Sequence, residues 1–182
     1  MKLHLGCGKR YIEGFTHIDA VDYPHVDHVS QIDSLPFIAD DSVDLIYACH
    51  VLEHFKRSDT ARVLTEWKRV LKPKGVLRLA VPDFGAACEV YQKYGRLDLV
   101  IGLIFGRQDY IYNIHYNVFD FASLSKLLKD VGFAGGGGGE IRRYDWRETE
   151  HAAIDDYSQA YIPHMDKENG ILVSLNVECV KP

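Results

Sequence analysis

The 182-residue sequence predicts an α/β protein built on a parallel sheet, and three observations carry that expectation. The apolar stretch Leu3-His4-Leu5 runs directly into a Gly6-Cys7-Gly8 turn. Val43-Asp44-Leu45-Ile46-Tyr47-Ala48-Cys49 is almost continuously apolar, the pattern of a strand buried on both faces. Beyond it, Val63, Leu64, Trp67, Val70 and Leu71 recur at three- and four-residue spacing, as in an amphipathic helix laid on a sheet. Alternating strand and helix signals are what a parallel sheet with crossover connections requires.

The elements follow in order. A first strand falls at about residues 2–6 and a second at about 15–19, and a short third lies between Asp27 and Ile32. Turns at Asp33–Phe37 and Asp40–Ser42 precede the 43–49 strand. Ser58-Asp59 can cap the next helix, and Pro73 to Gly75 ends it. A central strand over 76–81 stops at Pro82-Asp83. Residues 85–105 read as one or two helices, and 106–120 as an aromatic, irregular lid or acceptor loop. A helix from Phe121 to Val131 closes at Gly132. Ile141–Trp146 and Ile171–Val180 read as late strands. The glycine-rich loop at 134–140 and a polar surface excursion at 147–170 complete a single domain spanning 1–182.

Composition narrows the function. Hydrophobic residues at 47% and charged residues at 26% suit a soluble globular chain. A net charge of -5 argues against broad attraction to nucleic acid or anionic membranes, so nucleic acid is a disfavoured partner. The four cysteines include no C-x-x-C pair, and Cys7, Cys49 and Cys179 sit in apolar runs as small hydrophobes. No apolar run is long enough to span a membrane, and the first residues read as a strand rather than a signal peptide. The expected location is the cytoplasm. A homodimer stays open.

The glycine turn points to a ligand. Glycines there let the chain bend tightly and let a ligand approach the main chain. Asp19, at the tip of the second strand, can accept two hydrogen bonds from a ribose diol at the C-terminal edge of the sheet. The third glycine of a dinucleotide fingerprint is Tyr11 here, and the span from Gly6 to Asp19 is shorter than the usual gap of about 20 residues. NAD and FAD are therefore disfavoured, and a nucleoside ligand without a pyrophosphate fits better.

Four segments in order resemble the Rossmann-like (class I) S-adenosylmethionine-dependent methyltransferases, of the type 11-like kind. They are Leu5-Gly6-Cys7-Gly8, then Ile18-Asp19, then Asp33–Phe37 with Asp41–Ile46, then Val51-Leu52-Glu53-His54 with Glu66–Gly75. Leu124 to Phe133 resembles the family's leucine-rich helix ending in Gly-Phe. The resemblance implies a doubly wound, mostly parallel sheet of the seven-stranded type, with an antiparallel C-terminal strand, helices on both faces and a shortened first crossover. It implies S-adenosylmethionine as cofactor, held by Gly6, Cys7, Gly8, Asp19, Ala20, Asp33, Ser34, Leu35, His50 and Val51. It also implies methyl transfer to a small-molecule or glycan-type acceptor. A binding or scaffold protein that kept the fold without turnover is the alternative.

Transfer from a sulfonium needs mainly an in-line nucleophile, and a hydroxyl acceptor needs a base within reach. His115, in the aromatic loop, and Asp83, just past the fifth strand, are the candidates. His50-Val51-Leu52-Glu53-His54 matches H-x-x-E-H, an inverted zinc-protease pattern. A zinc metallohydrolase through His50, Glu53 and His54 is the remote alternative. The position of this segment at a strand end favours a place beside the cofactor, with no metal.

Overall fold

The computed structural model describes residues 1–182. Its strands are β1 (Lys2–Leu5), β2 (Thr16–Asp19), β3 (His28–Val29), β4 (Val43–Cys49), β5 (Leu71–Pro82), β6 (Arg142–Arg143), β7 (Tyr161–Ile162), β8 (Ile171–Leu172) and β9 (Ser174–Val180). Helices α1 (Thr60–Val70), α2 (Phe84–Tyr94), α3 (Ile101–Phe105) and α4 (Phe121–Asp130) connect them. The main sheet runs β3-β2-β1-β4-β5-β9-β6. β9 is antiparallel to both β5 and β6, and the remaining pairs are parallel. β7 and β8 form a separate antiparallel ribbon.

Strand alternation sorts the side chains into two unlike faces. Leu3, Leu5, Ile18, Ile46, Leu77, Leu79, Leu175 and Val177 point to one face, into a core of 27 buried residues. Trp67, Val63, Leu64 and Val70 of α1 and Leu124 and Leu128 of α4 fill the same core. Trp67 is fully buried, and its indole Nε1 donates to the Ile32 carbonyl at 2.7 Å, which satisfies its polar atom. α1 also clamps the loop before β4. Its Glu66 accepts from the Leu35 amide at 2.6 Å, and Arg69 donates to the Leu35 carbonyl at 2.9 Å.

The opposite face is aromatic and polar. No helix separates β1 from β2, so the expected short crossover is present in its extreme form. His4, His17 and Tyr47 point to this side, and His4 packs edge-on against Phe15 and His17 and tilted against Tyr47, with ring centroids 5.3–6.4 Å apart. The cover comes from the far end of the chain. His151 is buried over Tyr47 at 4.1 Å between centroids, and the Tyr47 hydroxyl donates to Asp156 Oδ2 at 2.6 Å. Single 3-10 turns at Trp146–Glu148 and Tyr157–Gln159 take the place of a helix on this side.

The segment 147–170 is a surface excursion only in part: 162–170 holds no buried residue, whereas 151–161 packs into the fold. His151, Asp156, Ser158, Gln159 and Tyr161 are all buried. Most of their polar groups are paired inside the fold: Ser158 donates to Asp156, and Gln159 donates to the Ala152 and Ile154 carbonyls, whereas the His151 ring is held by aromatic packing alone. Polar composition suggested solvent, whereas internal pairing permits burial. Two smaller differences concern element ends. Asp59 occupies the N-cap of α1 but makes no side-chain capping bond. The chain already turns helically before it, since the Asp59 and Thr60 amides both donate to the Lys56 carbonyl. The 171–180 strand breaks into β8 and β9 at Val173, which bonds instead to Ala160. The glycine-rich stretch holds a 3-10 turn at Gly136–Gly138.

Candidate functional site

The site lies where β1, β2, β4 and β5 end, along the C-terminal edge of the parallel strands. Gly6 and Gly8 both adopt positive φ, +62° and +54°, a conformation that glycine enters without a Cβ penalty. At Gly6 the need is steric as well: an added Cβ would meet Val51 Cγ2 at 2.5 Å. At Gly8 the same atom would meet nothing within 4 Å, so the main chain there stands open.

Asp19 closes the turn. Its Oδ2 accepts from the Gly8 amide and its Oδ1 from the Val21 amide, each at 2.8 Å. Each oxygen retains a second lone pair. Cys7 is buried beside this carboxylate, and burial followed by the Asp19 charge pushes its thiol up to about 12. It is thus an inert packing group. Ala20 follows Asp19 and is half-buried.

On the β3 side, Asp33 pairs with Arg62 at 2.8 Å and Ser34 is exposed, whereas Leu35 is fully buried in the core. The loop that holds these three residues is fixed from below by α1. The irregular 106–120 loop crosses above: Gln31 donates to the Tyr112 hydroxyl at 3.1 Å. Burial, then the neighbouring Tyr23 and Asp19, raises the Tyr110 phenol.

β4 continues into His50, whose amide donates to the Ala80 carbonyl at 2.7 Å and whose φ is +53°. Val51 turns back into the core against Gly6. The two candidate bases differ in their surroundings. Asp83 Oδ1 caps α2 by accepting from Gly85 and Ala86, and Oδ2 pairs with Arg143 at 3.0 Å. Both its oxygens are committed to holding the chain. His115 is half-buried in the aromatic loop; burial lowers its pKa, so its imidazole is neutral. Glu53 is fully buried; the sequence marks it through the H-x-x-E-H pattern and the Val51–His54 segment, with no partner beyond His50 and His54. The structure adds His115 to it, from a loop 61 positions beyond His54.

Residues 9–79 match the model of a methyltransferase domain family. A solved S-adenosylmethionine-dependent methyltransferase from Methanosarcina mazei is similar, with a TM-score of 0.59 and 18% identity over 99% of this chain and 91% of that one. The 1,6-didemethyltoxoflavin-N1-methyltransferase of Burkholderia thailandensis, solved with 1,6-didemethyltoxoflavin and S-adenosylhomocysteine, gives 0.59 and 14% over 99% and 70%. A putative methyltransferase of Haloferax volcanii, solved with its Trm112 activator, gives 0.58 and 15% over 100% and 81%.

The chain has a class I methyltransferase fold. In this fold the glycine turn, Asp19 and the β4 end occupy neighbouring strand ends of one sheet edge, as the strand order requires. No curated protein matches the chain in sequence. No helix of this methyltransferase fold is long and apolar enough to cross a membrane.

Proposed function

We propose that the protein is an S-adenosylmethionine-dependent methyltransferase acting on a small-molecule or glycan-type acceptor. The observation that carries this reading is the clasp between the Gly6–Gly8 turn and Asp19. It leaves an open main chain beside a fixed carboxylate with two free lone pairs, and a ribose diol can donate to both. When bound, S-adenosylmethionine supplies an electrophilic methyl group on its sulfonium. Gly6, Cys7 and Gly8 shape the turn around it, and Asp19 and Ala20 face the ribose side. Asp33, Ser34 and Leu35 form the loop at the adenine side, and His50 and Val51 border it from β4. The aromatic loop with Tyr110 and Tyr112 excludes water above the site. Asp83 holds α2 against the β5 end, and His115 is the neutral imidazole available to an acceptor proton. Location in the cytoplasm and a homodimeric state belong to the same proposal, as does the absence of a nucleic-acid or membrane partner.

Calorimetric titration with S-adenosylmethionine and S-adenosylhomocysteine tests this. The expected result is one site for each. No binding of either at millimolar concentration would sink it. The absence of a helix between β1 and β2 favours one second reading, a binding protein that kept the fold without turnover. Detection of methylated product from any acceptor eliminates that reading.

A further inference from the structure

Glu53, His54 and His115 present their ligand atoms within 4.8 Å of one another, although they come from a 3-10 turn at Leu52–His54 and from the aromatic loop. Glu53 is 0% exposed, and neither carboxylate oxygen has a hydrogen-bond partner. An unpaired buried carboxylate is costly unless a cation meets it.

The neighbouring imidazoles offer it no proton. His54 Nδ1 faces the Ile114 carbonyl at 3.0 Å, and His115 Nδ1 faces the Leu103 carbonyl at 3.0 Å. A carbonyl can only accept, so both Nδ1 atoms carry the hydrogen and both Nε2 atoms are lone pairs. His50 is set by a longer chain of bonds. Asn176 Nδ2 donates to Ser158, which orients the amide; Ser174 Oγ donates to Asn176 Oδ1; the Ser174 oxygen then accepts from His50 Nε2 at 3.1 Å. That leaves a lone pair on His50 Nδ1, 3.5 Å from Glu53 Oε1. His115 Nε2 lies 3.9 Å from the same oxygen. A carboxylate thus faces imidazole lone pairs whose protons are all turned outward to carbonyls or a hydroxyl. Metal-binding histidines are oriented in this way by their outer partners.

We infer that Glu53, His54 and His115 bind a divalent transition-metal ion, with His50 Nδ1 adjacent as a further donor. Two imidazoles and one carboxylate suit Zn2+, Fe2+ or Co2+ and leave positions open, whereas Mg2+ and Ca2+ prefer all-oxygen shells. The site is separate from the adenosyl-binding turn, but it takes the one free lone pair of His115, so with the ion bound His115 positions the loop and does not accept a proton. The site is distinct from a metallohydrolase reading as well, because His115 replaces His50 in the ligand core. The ion would tie the Leu52–His54 turn to the aromatic loop. Two hydrogen bonds already join them: the Tyr116 amide donates to the Glu53 backbone carbonyl at 2.8 Å, and the Asn117 side-chain Nδ2 donates to the Phe55 carbonyl at 2.5 Å.

The test uses the whole chain, stripped with a chelator and titrated with Zn2+, Co2+ and Mg2+. Expected are one equivalent of Zn2+ bound, a rise in thermal midpoint, and several-fold slower tryptic cleavage at the exposed Arg107. Co2+ should give a ligand-field spectrum without thiolate charge transfer, and Mg2+ should not compete. Glu53→Gln and His115→Ala, each checked for folding by circular dichroism, should lose at least tenfold in Zn2+ affinity. His25→Ala, which removes contacts with Cys7 at 3.8 Å and with the Tyr11, His17 and Tyr23 rings but none with the three ligands, should bind as the parent does. Absent binding, preference for Mg2+, a thiolate spectrum, or equal affinity in the Glu53 and His115 variants overturns the inference. Binding of the adenosyl compounds is measured separately, so loss of one reading leaves the other standing.

Discussion

Lowering the pH from 7 to 5 should destabilise the fold through His4, and His4→Leu should remove that share. His4 lies at the centre of β1 on the aromatic face. Burial, then the nearby His17, His151, His25 and Arg10, pulls its pKa from 6.5 down to about 3. Its Nδ1 has no hydrogen-bond partner. The folded pKa is depressed, so the folded state needs the neutral ring. That contribution is complete above the unfolded value of 6.5 and is lost as pH falls towards 3. Linkage between those two values gives a loss of about 2 kcal/mol between pH 7 and pH 5. The figure hardly depends on the folded pKa so long as it lies below 5, because the unfolded state takes up nearly all the protons in that window. For a chain of this length it corresponds to about 4–8 °C in Tm. The assay is urea unfolding of both proteins at half-unit pH steps. The wild type should lose about 2 kcal/mol more than His4→Leu across the window. Other histidines titrate in both proteins, so the difference isolates His4. Parallel curves for the two proteins would refute the reasoning.

Three further outcomes follow from the same structure. Asp19→Asn places an amide group where two backbone N–H donors converge; it should cost about 1–3 kcal/mol in urea unfolding and weaken S-adenosylhomocysteine binding by about tenfold or more in calorimetry. Unchanged affinity would leave Asp19 a purely structural role. Gly6→Ala should lower stability by about 1–3 kcal/mol, and Val51→Ala in the same chain should recover part of that loss, because the new Cβ meets Val51. A strictly additive double mutant would contradict the contact. Tyr47→Phe leaves Asp156 short of a donor, so it should cost about 1.5–3 kcal/mol and increase hydrogen exchange in 150–160 before it does so in β1.

The sequence displayed those parts of the fold whose cause is local. The 43–49 run is β4 to the residue, because a strand flanked on both sides needs apolar residues nearly throughout. The α1 stripe appears as read, since Val63, Leu64, Trp67 and Val70 face one core. The glycine turn and Asp19 were legible because positive φ and a strand-tip carboxylate have residue-level signatures. Relations between distant segments were not. Nothing near His54 announces that Ile114 will turn its Nδ1 or that His115 will face Glu53. The polar string around His151 and Asp156 looked solvent-exposed because hydropathy cannot register that Asp156 pairs with Ser158 and Tyr47 or that the His151 ring packs on Tyr47. Asp83 looked like a free base for a similar reason: its second partner, Arg143, is 60 positions away.

The bare crossover between β1 and β2 also has a consequence in time. A helix there would shield β1 with residues made moments after it. Instead His4 and Tyr47 stay uncovered until His151 and Asp156 arrive, more than 100 residues later in the chain. The apolar side of β1 and β4 gains α1 within the first 70 residues, whereas their polar side waits for a segment more than 100 residues away. Closing so long a loop is slow relative to forming local structure. The final folding step should therefore be the docking of 144–160, with the half-covered β1–β4 surface as the state that precedes it.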